Sequence, residues 1–273
     1  MTGPESGQHA LPVRLPVGKV KVAAMTLNQA SALVWEWILD GSDYGHSVHF
    51  CNAYTVALVE RDPEYASCLQ AADLICADGM PVVWAQHWLH QESAGHSSRV
   101  YGPDLMEAIF DKSDETNSTD ARHYLLGATP ATLDALRRQI ANTWPKARVV
   151  GWESPEFRTP TEEELLTRDE RIASSGANVV WVGLGTPKQD FEVARLAERL
   201  PVVALGVGAA FDFLAGTTPQ APIWMQRTGT EWMYRLATEP RRLAHRYFWG
   251  NPRYVGIVLA QRMQKKPKLG PAS

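Results

Sequence analysis

Cysteine is scarce. Cys51, Cys68 and Cys76 are the whole complement, odd in number and without a C-x-x-C pair. That argues against a disulfide framework or a cysteine zinc site and suits a reducing compartment. Long apolar runs are missing too: nothing approaches the roughly 18–20 uninterrupted apolar residues of a membrane span. The first residues lack a basic start followed by an apolar stretch, so no secretory signal is expected. Several catalytic signatures are also absent. Without G-x-x-x-x-G-K-[S/T] the chain is not a P-loop NTPase, and without G-x-S-x-G the commonest α/β-hydrolase reading falls. There is no D-x-D triplet and no H-x-x-x-H or H-E-x-x-H spacing, so no catalytic metal is expected.

What remains is a chain of 273 residues, 45% apolar and 21% charged, long enough to bury a large core. The expectation is a soluble, intracellular protein with one main domain. Its net charge of −3 hides an asymmetry. From Met225 onward ten basic residues face only Glu231 and Glu239, a local +8 that leaves −11 on the rest. Trp224, Trp232, Tyr234, Tyr247, Phe248, Trp249 and Tyr254 are interleaved with those charges. Basic and aromatic residues together suit an anionic partner: a phosphorylated ligand, anionic lipid or nucleic acid. The plainer reading is a solvated helical face with its aromatics on the core.

The pattern along the chain is α/β. Residues 1–19, rich in Gly, Pro and Ser, read as a disordered leader. Short apolar strands are expected at Val20–Val22, Ser47–Cys51, Leu74–Ala77, His123–Leu126, Arg148–Trp152, Asn178–Val182 and Val202–Leu205. Helical periodicity separates them, with Thr26 as a cap and Thr161/Glu164 as a capping box. The polar run Asp111–Asp120 reads as an exposed loop. Strands alternating with helices imply a Rossmann-like, doubly wound, mainly parallel sheet over residues 20–220. Beyond it lie a helical basic appendage, 221–264, and a disordered tail, 265–273.

Ligands of such sheets bind beyond the carboxyl ends of the strands. Several expected strands end in suitable residues: Asn52, Asp78-Gly79, Gly183–Gln189 and Gly206–Asp212. In Gly183–Gln189, two glycines and a Pro-started helix suit backbone N–H groups facing a phosphate, with Lys188 and Gln189 beside them. An ordinary βα turn fits equally. Gly206-Val207-Gly208 begins like a dinucleotide fingerprint, but Phe211 stands where the third glycine belongs, which disfavours a nicotinamide oxidoreductase. Asp78 reads as a general base in the crevice or as a cap for the helix begun near Pro81.

Assembled in order, these pieces resemble the WecG/TagA/CpsF family of bacterial glycosyltransferases, from about Val20 to Arg262. The resemblance is carried by Asn52-Ala53, Asp62-Pro63, Ala72-Asp73, Asp78-Gly79, Arg99–Asp104, Gly183–Gln189, Gly206–Asp212, Ala221-Pro222, Glu231–Leu236 and Glu239–Arg242. It implies an inverting, metal-independent transfer of N-acetylmannosamine or another hexose from a UDP-sugar to a polyprenyl-diphosphate-linked sugar, in cell-surface polysaccharide or teichoic-acid-type synthesis. It implies a cytoplasmic enzyme held at the inner membrane face by its basic appendage, with no nucleic-acid partner and with scope for self-association. By the same resemblance Asp78 is the general base and Asn52 positions the sugars. Arg235, Arg242 and Arg246 contact diphosphate oxygens. Gly79, Gly183, Gly185, Lys188, Gln189, Gly206, Gly208 and Asp212 line the nucleotide-sugar cleft. Two positions depart from the family pattern: Phe50 stands where Thr is common, and His245 precedes Arg246 where consecutive arginines are common. The alternative from another class is a non-enzymatic nucleotide- or nucleic-acid-binding module built on the basic tail.

Overall fold

The computed structural model describes residues 11–115 and 120–265. The first ten residues of the expected leader and Lys266 and Lys268 of the tail lie outside them.

The chain opens with a hairpin, β1 (Arg14–Val17) and β2 (Val20–Ala23), whose strands pair antiparallel. This corrects the expected leader. Leu15 and Val17 alternate inward and are buried with Val20 and Val22, and Pro16 is tolerated because the sheet has only two strands, both edges. There follow α1 (Leu27–Leu39), β3 (His46–Cys51), α2 (Ala53–Val59), α3 (Pro63–Gln70), β4 (Leu74–Ala77), α4 (Met80–His90) and α5 (Gly102–Glu115). Helix α5 runs into the segment expected as a loop. Its last turn is amphipathic despite its polar residues: Ser113 is buried and its hydroxyl donates to the Ile109 carbonyl at 2.8 Å. Next come β5 (Arg122–Gly127), α6 (Pro130–Thr143), β6 (Arg148–Glu153), α7 (Glu162–Ser174), β7 (Val179–Gly183), α8 (Lys188–Arg199), β8 (Val203–Leu205) and the short α9 (Ala210–Leu214). The appendage consists of α10 (Ile223–Arg227), α11 (Glu231–Thr238) and α12 (Pro240–Lys265).

The six strands β3 to β8 form one parallel sheet in the order β4-β3-β8-β7-β5-β6. Side chains alternate across it. Val48, Phe50, Leu125, Trp181 and Leu205 pack under α1, α5, α6 and α9. On the opposite face, one cluster gathers Cys51 and Ile75 with α2, α3 and α4, and another gathers Leu126, Val180 and Val182 with α7 and α8. This is the expected Rossmann-like α/β fold. The helix ends follow their local chemistry. Thr26 with Gln29 and Thr161 with Glu164 form capping boxes, each cap stabilising its helix by about 1 kcal/mol. His123 is a core residue. Trp181 Nε1 donates to its Nδ1 at 3.1 Å and Ser113 Oγ sits 3.0 Å from its Nε2, while burial pulls its pKa down to about 3 and keeps it neutral.

The sheet also places the site. After β3 the chain leaves to the α2 face, and after the neighbouring β8 it leaves to the α9 face. The carboxyl ends of these two strands therefore flank a crevice, the position where open parallel sheets bind ligands.

Candidate active site

Asp78 follows β4 and stands at the crevice. Its carboxylate does not cap α4, because Gly79 occupies the N-cap without a side-chain bond. Instead Oδ1 accepts from the backbone N–H of Gly102, the first residue of α5, at 3.3 Å, and Oδ2 faces Asn52 Nδ2 at 3.5 Å. Burial pushes the Asp78 pKa up; Arg99 opposes the shift and Glu231 adds to it. A desolvated carboxylate held by neutral donors is a stronger base than an exposed one.

Asn52 is partly engaged within the fold. It caps α2, its Oδ1 accepting from Tyr54 N at 3.1 Å and Thr55 N at 3.3 Å, and also from Arg246 Nη2 at 3.2 Å. Only its amide nitrogen is aimed at the crevice, toward Asp78. Asn52 therefore ties together β3, Asp78 and the appendage.

The glycine turns divide by function. Gly185 has φ +77, the left-handed region that favours glycine. Gly183 is required by packing: a Cβ there would sit 2.9 Å from the Phe211 ring. Gln189 is a buried strut, its Oε1 accepting from Gly185 N at 3.0 Å and its Nε2 donating to the Gly206 carbonyl at 2.6 Å. One side chain thus fixes both glycine turns. Gly206 and Gly208 line the crevice beside it, as does Asp212, whose pKa is raised by burial. Lys188 is the expected cleft residue that the structure turns away: it is exposed, with Nζ 4.6 Å from the centre of the Phe157 ring. The departure Phe50 is buried in the core with its edge on the crevice. His245 is exposed beside Trp249, outside the crevice.

The appendage completes the walls. Arg246 of α12 lies over the Tyr54 ring at 4.6 Å, and burial lowers its pKa. The Nε atoms of Arg246 and Arg235 are both buried without a hydrogen-bond partner. Arg242 is half exposed and paired with Glu239. Helix α12 is anchored by Tyr254, whose hydroxyl donates to the Pro81 carbonyl at 2.6 Å, and by Gln261, which bonds to Gly18 N and the Pro16 carbonyl, each at 2.8 Å.

Two cavities meet at this point. A polar one of about 170 Å³ runs under the glycine turns and reaches Arg242. A larger one of about 540 Å³ runs between α4 and the appendage, along Trp84, Trp88, Trp232, Val255 and Leu259. Gly79 belongs to the larger cavity and not to the polar one. Asn52, Asp78, Tyr101, Arg235 and Arg246 line both. Among the described residues, Asp78 is the one carboxylate in that shared wall. Two cavities of different character therefore meet at one carboxylate beside two guanidinium groups whose Nε atoms lack partners.

Sequence comparison agrees with this architecture. The glycosyl transferase WecG/TagA/CpsF family matches residues 15–268. The chain belongs to that family. It is also 30% identical over 209 residues, 76% of each chain, to the N-acetylglucosaminyldiphosphoundecaprenol N-acetyl-beta-D-mannosaminyltransferase of Bacillus spizizenii. The protein is thus a glycosyltransferase, and the non-enzymatic alternative is set aside.

For this transferase, several structural partners had no role assigned from sequence: Arg99, Tyr101, Tyr54, Tyr247 and the pair Trp84/Trp88. Arg99 and Tyr101 lie within a stretch that carried the family resemblance, and their alternate spacing was the one available signal that both face the same way. The tryptophans are four apart on α4, a helical spacing that reads equally as core.

Proposed function

We propose that the enzyme transfers N-acetylmannosamine, or another hexose, from a UDP-sugar to a polyprenyl-diphosphate-linked sugar, with inversion and without a metal ion. The observation that carries this reading is the pair of cavities sharing Asp78. The polar cavity, with its backbone turns and arginines, suits a nucleotide diphosphate sugar. The apolar cavity suits the lipid end of a polyprenyl-diphosphate-linked acceptor. The Bacillus relative's name gives an acceptor of that class.

In this mechanism an acceptor hydroxyl attacks the anomeric carbon as Asp78 takes its proton. The bond from that carbon to the diphosphate oxygen breaks, and UDP leaves. A single carboxylate in the shared wall supports one displacement and therefore inversion, since a double displacement needs a second nucleophile. Arg235 and Arg246, assisted by Arg242, meet the charge that develops on the diphosphate. Trp84, Trp88, Val255, Leu259 and Met263 are each roughly half exposed or more along the outer rim, with Arg262 bonded to the Trp88 carbonyl at 3.1 Å. Aromatic, aliphatic and basic groups on one rim suit an anionic membrane surface. Among the described residues no helix is long and apolar enough to cross a membrane, and the proposed attachment is by this rim.

The test is incubation of the full chain with a panel of UDP-sugars and a short-chain prenyl-diphosphate N-acetylglucosamine, with EDTA present, followed by mass spectrometry and NMR of the anomeric centre. A gain of one N-acetylhexosamine or one hexose with inverted configuration supports the reading. Retention, or dependence on added metal, refutes the mechanism. No product from any donor refutes the acceptor class.

A further inference from the structure

We propose that Glu231 is a positioning residue: it seats the appendage on the body and, through Arg99, makes Asp78 competent as a base only in the seated state. This rests on the reading of Asp78 as the base.

Glu231 begins α11 and points back at the body. Its Oε2 accepts from Arg99 Nη2 at 2.8 Å and its Oε1 from the Tyr101 hydroxyl at 2.7 Å. The same Arg99 donates through Nε to the backbone carbonyl of Asp78 at 2.9 Å and through Nη1 to the carbonyl of Gln226, in α10, at 3.4 Å. Its guanidinium lies 3.7 Å over the Tyr101 ring. Arg99 and Glu231 are 13% and 17% exposed, so the pair is shielded from solvent and depends on both parts being in place. One guanidinium therefore grips two appendage helices and the main chain of the base.

The charges around Asp78 give this contact its chemical consequence. The groups facing it are Arg99 and Tyr101 before α5, Asp104 of α5, Arg246 of α12, Glu231 of α11, and the buried thiols of Cys51 and Cys76. Of these, Arg99 most strongly favours the carboxylate form. Glu231 neutralises Arg99 while covering Asp78, and both effects keep the proton affinity of Asp78 high. When the appendage lifts, Glu231 departs, Arg99 acts unopposed and water reaches the carboxylate. All three changes weaken the base. An open enzyme holding a donor is thus a poor catalyst, which limits transfer to water.

The test uses the full chain labelled with [13C]aspartate, with the Asp78 carboxyl resonance assigned from Asp78→Asn. In Glu231→Gln its titration midpoint should fall by about 0.5–1 pH unit, and Glu231→Asp should recover part of the difference. Hydrogen exchange over residues 223–238 should rise in the same variant. With substrates, kcat should drop by up to about three- to tenfold, donor KM should stay within about threefold, and the acid limb of the rate profile should move with the midpoint. Tyr101→Phe, which spares the ion pair, should shift the midpoint less in the same direction and serves if Glu231→Gln does not fold. An unchanged midpoint overturns the proposal, as does a fallen kcat with an unmoved acid limb, because Glu231 would then only hold its helix. If the wild type makes no product, the proposed function fails, and the titration and exchange still decide the coupling.

Discussion

Replacing Arg246 by Met separates what that residue does for the reaction from what it does for the fold. Methionine keeps much of the stem and removes the guanidinium. The folded protein loses one hydrogen bond to Asn52 Oδ1 at 3.2 Å, about 1 kcal/mol, and the contact over Tyr54, about 0.5–2 kcal/mol. It is relieved of a half-buried cation whose buried Nε has no partner, a penalty of about 1–3 kcal/mol. The two sides nearly cancel, so the unliganded variant should melt within a few degrees of the wild type or above it. Turnover should behave differently. One donor to a developing anion contributes about 10²–10³ in rate, or roughly 2.7–4 kcal/mol, so kcat should fall by that factor. The assay pairs thermal denaturation without ligands with initial rates across a donor series at saturating acceptor. A large drop in melting temperature, or turnover within threefold of wild type, would refute the reasoning. The first result would make Arg246 a structural residue, and the second would place the diphosphate elsewhere.

Asp78→Asn should lose about 10²–10⁴ in kcat and the acid limb of the rate profile with it. Because burial raises the folded-state pKa of Asp78, the native state holds that proton more tightly than the unfolded one, and stability contributed by the group is lost as pH rises. Asp78→Asn should therefore melt no lower than wild type near neutral pH, and a lower melting temperature would contradict the sign. Gln189→Leu leaves the Gly185 N–H and the Gly206 carbonyl without their shared partner. Urea unfolding should show a loss of about 1–3 kcal/mol and rates a higher donor KM; unchanged stability would remove the strut. Trp84→Ala combined with Trp88→Ala should raise acceptor KM for long prenyl chains more than for short ones and leave donor KM unchanged. An equal effect on both chain lengths would move the lipid out of the larger cavity.

Much of the sheet was readable from the sequence because its strands, apart from the edge strand β6, are buried on both faces and end in or run into Asn, Asp or Gly. Leu74–Ala77 followed by Asp78-Gly79 is the clearest case. The hairpin's first strand, Arg14–Val17, was masked by Pro16, since a two-residue alternation over four positions is a weak signal beside Gly/Pro-rich composition. The final turn of α5 was masked in the same way by polar residues, one of which turns inward. In the site, residue type indicated Asp78 and the arginines. It could not show that Gln189 spends both ends of its amide on backbone, that Lys188 turns away, or that Asn52 is half occupied as a cap. Those facts depend on the directions of single bonds. The roles of Arg99 and Glu231 were hidden for another reason: 132 positions separate them, and no local pattern reports a pairing made by docking.

The bonds from Gln261 to the hairpin join positions 243 and 245 residues apart. In folding terms this makes the appendage the last piece of a nearly closed circuit. Closing so long a loop costs more entropy than closing a local one, although the cost grows only slowly with length, and chains under synthesis fold from the amino terminus first. The sheet can assemble with Asp78 already in position while Glu231 and Arg246 are still unmade. A chain interrupted before α12 thus carries Asp78 and the glycine turns but lacks Arg246, so in the proposed mechanism transfer waits on the synthesis and docking of α12.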